Sequence, residues 1–392
     1  MQSETRPKHR FGLAYLSFLT WEDAISPKRR GRPTTTVRGG VDGWWTEVLA
    51  PSPSTVWDVL SATAVPLSVL DLSVVNDGQS TTDTLGSTAR VAQRADELGY
   101  LRYWVAEHHN MPSVACTAPT VLMAHLAAIT ERIHVGSGGV MLPNHAPLVV
   151  AEQFAMLEAL HPGRVDVGVG RAPGTDQATA AAVRRSAELL GADDFPRDLL
   201  DLMGLLGDRR VDTGLWDRFR ATPAAASFPT VFLLGSSGYS AQLAAHLGLP
   251  FAFAHHFDMG GALQATELYH RGFQPSAVLA EPHMIITANA LVADTEDDAQ
   301  WHATPGRITA LGRRTGRFIP LPSPVDAAAH PQLDEANRLP TGRVIGTPEQ
   351  VVPVLRSLVE RTGARELMVT SVAYDVAARI RSIELLAEHW AA

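Results

Sequence analysis

At 392 residues, with 45% hydrophobic and 19% charged side chains, the chain has an ordinary globular composition and can bury a large core. A net charge of −8 leaves no electrostatic footprint for nucleic acid or an anionic membrane surface. The single cysteine, Cys116, excludes an intramolecular disulfide framework and a cysteine-based zinc site, so a reducing cytoplasmic compartment is expected.

Residues 1–64 mix Arg, Thr, Pro, Gly and scattered tryptophans (Trp21, Trp44, Trp45, Trp57) without sustained periodicity, and read as an irregular N-terminal extension. The basic stretch before FGLAYLSFLTW is followed by no small-residue cleavage site, which favours a cytoplasmic extension over a signal peptide. Apolar runs such as 119–129 and 243–254 are too short or too interrupted to span a bilayer. The organised domain, 65–392, opens with the buried-type strand LSVLDLS. A helix is predicted over Thr84–Leu98, closed by Gly99, and a strand over 102–107. A helix over Thr117–Thr130, a strand over 133–138, a helix over Leu148–Leu160 and a strand over 164–170 follow. Beyond a helical region at about 177–206 come four more strands, at 230–235, 250–255, 284–293 and 366–371. Eight strands alternating with helices argue for one closed (β/α)8 TIM barrel. The segment from about 312 to 345, rich in Arg, Pro and Gly, reads as a long loop in the seventh unit, a lid or binding loop.

The chemistry-bearing residues gather where strands end. AEHHN follows the second strand, and the C-terminal face of such a barrel is where active sites are built. Adjacent side chains at a strand end point to opposite sides, so His108 is taken into the pocket as a general base and His109 away from it. His145 or His255 could complete a metal site, but no metal-ligand spacing requires one, and no metal is predicted. Gly168 and Gly170 fail as a dinucleotide fingerprint because Pro173 stands where a third glycine is needed. The turn after the fifth of these eight strands, Gly235 to Ser240, fails as a nucleophile elbow on spacing. It suits a phosphate better: a helix N-terminus offers free N–H groups, with hydroxyls from Ser236, Ser237 and Ser240. Arg171, directly after the strand VDVGVG, projects from the same face and can bind a phosphate bidentately.

AEHHN, VGSGGVMLPNHAP, LEALHPGRVDVGVGRAPGTD and LLGSSGYSAQLAAHLGLPFAFA closely resemble the bacterial luciferase-like family of flavin-dependent monooxygenases, and the likeness covers roughly 67–390. The resemblance implies a TIM barrel that binds flavin mononucleotide (FMN) at the strand C-termini, with His108 near the reactive edge of the ring. It assigns Arg171, Ser236, Ser237 and Ser240 to the phosphate, and places a non-prolyl cis peptide at Ser137-Gly138 beneath the flavin. The family's phosphate glutamate is replaced here by Ser236, which argues against a light-emitting luciferase.

The expected activity is oxygenation of a small organic substrate by reduced FMN and O2 through a C4a-peroxyflavin. A separate flavin reductase is expected to supply the reduced cofactor, and a homodimer is the expected assembly. The rivals are a deazaflavin-dependent hydride transfer within the same superfamily and a non-catalytic flavin-binding protein. A metal-dependent barrel hydrolase comes last.

Overall fold

The computed structural model describes residues 65–184, 194–224, 227–257 and 260–390. The expected extension, 1–64, lies outside the described residues. Ten parallel strands form one sheet: β1 (Leu67–Asp71), β2 (Arg102–Val105), β3 (His134–Ser137), β4 (Val140–Met141), β5 (Val165–Gly170), β6 (Thr230–Gly235), β7 (Phe251–Phe253), β8 (Met284–Val292), β9 (Val344–Gly346) and β10 (Glu366–Thr370). The order β10-β1-β2-β3-β5-β6-β7-β8 closes on itself through the β8–β10 pairing, which makes an eight-stranded barrel. The two remaining strands, β4 and β9, ride on the C-terminal portions of β5 and β8.

Each barrel strand feeds a helix that covers it. These are α1 (Thr81–Glu97), α2 (Pro119–Ala128), α3 (Pro147–Leu160), α4 (Gln177–Arg184), α5 (Phe195–Leu205), α6 (Gly238–Leu247), α7 (Ala262–Gly272), α8 (Glu296–Arg314), α9 (Pro324–Ala328), α10 (Leu333–Arg338), α11 (Pro348–Thr362) and α12 (Val376–Trp390). α1 starts three residues before the sequence-based expectation. The Ser80 hydroxyl accepts from the Asp83 amide at 3.1 Å while Asp83 accepts from the Ser80 amide at 3.0 Å, a reciprocal cap that fixes the start. The helical region expected over 177–206 is two helices, and residues 185–193 between them lie outside the described ones.

The segment 312–345 corrects its expectation as a loop. It holds α9, α10 and β9, and Ile308 and Leu311 of α8 pack with Ala327 and Ala336 in a small apolar core of their own. Its middle is tied across the barrel rim: Leu321 donates to the Val75 carbonyl and accepts from the Asp77 amide, both at 2.8 Å. A segment pinned at its middle by two backbone bonds and a buried leucine is ordered structure at the barrel rim.

The barrel interior is layered. At the N-terminal end, fully buried Arg102 donates to Glu366 at 3.0 Å and to Asp166 at 2.8 and 2.9 Å. Burial alone would raise the pKa of Asp166, but the Arg102 charge and bonds from His134 and Trp104 hold it down at about 2. Above that plug sit Leu70, Trp104, Phe232, Ala252, Ile285 and Met368, with the Trp104 and Phe232 rings 5.0 Å apart edge to face. The charged floor and apolar middle leave the C-terminal mouth as the open end.

Candidate active site

Glu107, His108 and His109 leave the mouth end of β2 in different directions. Glu107 is wholly buried and gathers the neighbouring loops. Its carboxylate meets His109 Nε2 at 2.8 Å, His145 Nε2 at 2.9 Å, Asn144 Nδ2 at 3.1 Å and the Met141 amide at 2.9 Å. Burial pushes its pKa up, but His145, His109 and the Met141 amide outweigh it and hold the carboxyl below its ordinary range. Glu107 therefore stays ionised and knits the loops after β2 and β3. The sequence reasoning passed over it; a carboxylate at a buried strand end beside two imidazoles was the available signal.

His108 has a different setting. Its backbone amide donates to the Cys116 carbonyl at 3.2 Å, and its Nδ1 is buried with no hydrogen-bond partner among the described residues. Desolvation lowers its pKa; the Glu107 charge opposes that and His109 adds to it. A largely neutral imidazole with an unengaged ring nitrogen can accept a proton or bond to a bound molecule.

A third histidine was missed. His256 follows β7, its Nδ1 2.6 Å from Thr287 Oγ1, and Thr287 donates its only hydroxyl proton to the Phe253 carbonyl at 3.0 Å. That hydroxyl must therefore accept from His256, so the proton of the neutral ring is on Nδ1 and Nε2 carries the lone pair. Burial and the neighbouring charges of His255 and His108 push the His256 pKa down to about 4. The sequence signal was present: His255-His256 follows FAFA as His108-His109 follows YWVAE.

On the other side of the mouth, Arg171 leaves β5 and its guanidinium sits 4.2 Å from the centroid of Tyr239, in the first turn of α6. Ser237 is the N-cap of that helix, yet its side chain makes no capping bond. Ser236 is half-buried, Ser237 exposed and Ser240 buried, with the Ser240 hydroxyl lying against Gly235. The structure thus gathers a guanidinium, a helix N-terminus with an uncommitted cap hydroxyl, and two more serines.

Ser137 and Gly138 have structural duties. The Ser137 hydroxyl donates to the Gly168 carbonyl at 2.8 Å and accepts from its amide at 3.0 Å, stitching β3 to β5. The non-prolyl cis peptide is at Gly138–Gly139, one residue beyond the expected Ser137-Gly138 bond. A Cβ on Gly138 would fall 2.7 Å from Leu70 Cδ1, and one on Gly139 would fall 2.6 Å from the Gly168 carbonyl oxygen. The barrel's own packing requires small residues there. Among the described residues no cluster of three or more His, Cys, Asp or Glu could hold a metal ion. Nor is any helix there long and apolar enough to cross a membrane.

The chain is similar to known proteins over most of its length. Residues 65–366 match the family model for luciferase-like monooxygenases. A luciferase-like monooxygenase of Escherichia coli (strain K12) is 41% identical over 328 residues, covering 82% of this chain and 96% of that one. The crystal structure of apo-MsnO8 superposes with a TM-score of 0.76 at 36% identity, over 83% of this chain and 98% of that chain. A type II Baeyer-Villiger monooxygenase from Pseudomonas putida, solved in complex with FMN, shares the fold with a TM-score of 0.62 at 19% identity, over 84% and 98%. The chain belongs to the luciferase-like monooxygenase family.

Proposed function

We propose that the protein is an FMN-dependent monooxygenase in which Arg171 and the turn Ser236–Ser240 hold the flavin phosphate and His108 handles protons at the reacting end. The observation that carries this reading is the convergence of Arg171 on the first turn of α6. One fixed positive charge, the free amides of a helix start and an unused cap hydroxyl make a complete phosphate cradle without a metal. The FMN complex of the Pseudomonas relative with the same fold supports that choice of cofactor.

Bound reduced flavin supplies the reactivity toward dioxygen, and the protein's part is to place and protect it. The phosphate cradle anchors one end of the cofactor. His108 offers Nδ1 as a hydrogen-bond partner, and its depressed pKa leaves the ring neutral, with one nitrogen free to take a proton. Glu107 fixes the loops around it, and the strap tied through Leu321 restricts water at the mouth. Small ketones, aldehydes or sulfur compounds are the proposed substrates, a separate flavin reductase the source of electrons, and a cytoplasmic homodimer the working form.

The test is anaerobic titration of the purified protein with reduced FMN and, in parallel, with a reduced deazaflavin, each followed by exposure to oxygen and an assay of substrate. Tight FMN binding with oxygen-dependent turnover supports the reading. Turnover with the deazaflavin alone, in the absence of oxygen, overturns it.

A further inference from the structure

Three arginines gather in the segment between β8 and α11, and two of them, Arg313 and Arg343, have no carboxylate acting on them. Arg343 immediately precedes β9, and the pairing of Val344 with Ala290 puts it level with Asn289. Asn289 in turn pairs with Thr370, the last residue of the eighth barrel strand, so this is the C-terminal rim. The Arg343 side chain lies on α8 at Gly306, where a Cβ would stand 2.6 Å from Nη1 and 3.4 Å from Cζ. Glycine leaves the gap in the helix surface that seats the guanidinium. Arg307 is the next residue, and Arg313, seven residues beyond Gly306, lies two turns along on nearly the same face as that glycine.

Elsewhere the chain matches buried arginines to acids: Arg102 faces Asp166 and Glu366, and Arg379 meets Asp71 at 2.8 Å. Here Arg307 and Arg343 are half-buried and Arg313 is exposed. Arg307 donates to the Gln300 side chain, which in turn donates to Glu296, so the nearby carboxylate serves Arg307 and leaves Arg313 and Arg343 uncompensated. Among the described residues no carboxylate lies within 4.0 Å of any of the three guanidinia. Burial, then Arg313, then Arg307 push the Arg343 pKa down to about 10. The end of a helix favours a cation, which explains Arg313 but neither Arg307 in mid-helix nor Arg343 off the helix. Like charges held together and partly desolvated are costly unless a counter-charge joins them.

We propose that Arg313 and Arg343, flanked by Arg307, form a binding site for the oxyanion, carboxylate or phosphate, of a ligand that enters at the rim of the barrel. The site is separate from the Arg171 cradle, which lies at β5 and α6, and does not depend on the flavin reading. Planar guanidinia present paired donors that match either oxyanion.

The test is calorimetric titration of the full chain at low ionic strength with inorganic phosphate and, separately, with acetate, using the wild type, Arg343→Gln, Arg313→Gln and Arg171→Gln. The expected result is a saturable phase weakened about tenfold in Arg343→Gln and Arg313→Gln and retained in Arg171→Gln. Arg313 is exposed, so its variant reads the site even if Arg343→Gln folds poorly. Tighter phosphate than acetate assigns the site to a phosphorylated ligand, and the reverse to a carboxylate-bearing substrate. The proposal is overturned if no saturable phase appears, if the phase survives both rim variants, or if only Arg171→Gln removes it.

Discussion

The guanidinium of Arg171 rests on the ring of Tyr239 at 4.2 Å, joining the residue that ends β5 to the first turn of the helix after β6. The ring holds the cation against the first turn of α6 without neutralising it. Two loops far apart in sequence thereby meet at the barrel mouth, where the proposed phosphate site would lie.

Arg171→Ala should therefore weaken FMN binding by about 1.5–3 kcal/mol, one charge-assisted bond to a phosphate. Riboflavin, which has no phosphate, should bind the variant and the wild type equally. Fluorescence titration of both flavins checks this; an equal loss for riboflavin would show that Arg171 supports the fold rather than the phosphate.

Adjacent His108 and His109 should separate cleanly. His108→Ala should slow oxygenation by about 10²- to 10⁴-fold with flavin affinity nearly intact. His109→Ala removes a donor 2.8 Å from buried Glu107 and should instead cost about 1–3 kcal/mol of stability. Turnover rates and denaturant midpoints for the two variants decide it, and reversed effects would reassign the histidines.

His256 predicts a pH dependence of stability. Its folded pKa, about 4, lies below the ordinary imidazole value of about 6.5, so as pH falls the unfolded chain takes up the proton first. Stability should decline from about pH 6.5 down to about pH 4 and stop declining on this account below that. His108 and His283 are shifted in the same direction and add to the slope. His256→Asn keeps a donor for Thr287 and should flatten part of the decline. Denaturant unfolding across this range measures it, and an unchanged slope in the variant would remove His256 as the cause.

At the closed end of the barrel, Arg102→Met should cost about 3–5 kcal/mol, because Asp166 and Glu366 would stay buried without their common cation. Urea unfolding provides the measurement. A cost under about 1 kcal/mol would mean that water or neighbouring protons compensate the carboxylates.

The barrel was legible because parallel strands buried on both faces read as short continuous apolar runs, as VDVGVG and TVFLLG do. The residues proposed for the phosphate drew notice because they stand directly at strand ends. What escaped depends on contacts between distant segments. Nothing local marks β9 as a strand until the long β8 offers it an edge, and nothing local ties Leu321 to Val75. The cis peptide was expected at Ser137-Gly138 and falls one residue later, at Gly138–Gly139, where the two glycines face Leu70 on β1 and the Gly168 carbonyl on β5. Glu107 and His256 take their character from burial and from partners remote in sequence, which no spacing rule encodes.

The central claim is oxygen transfer on a flavin held by Arg171 and served by His108. The most direct measurement supplies the purified protein with reduced FMN, isotopically heavy dioxygen and a panel of small thioethers, ketones and aldehydes, and weighs the products by mass spectrometry. The account predicts one heavy oxygen atom in the product with wild-type protein, and a loss of about 10²-fold or more in rate with His108→Ala. Product that forms without the heavy atom, or at the same rate with His108→Ala, would contradict it.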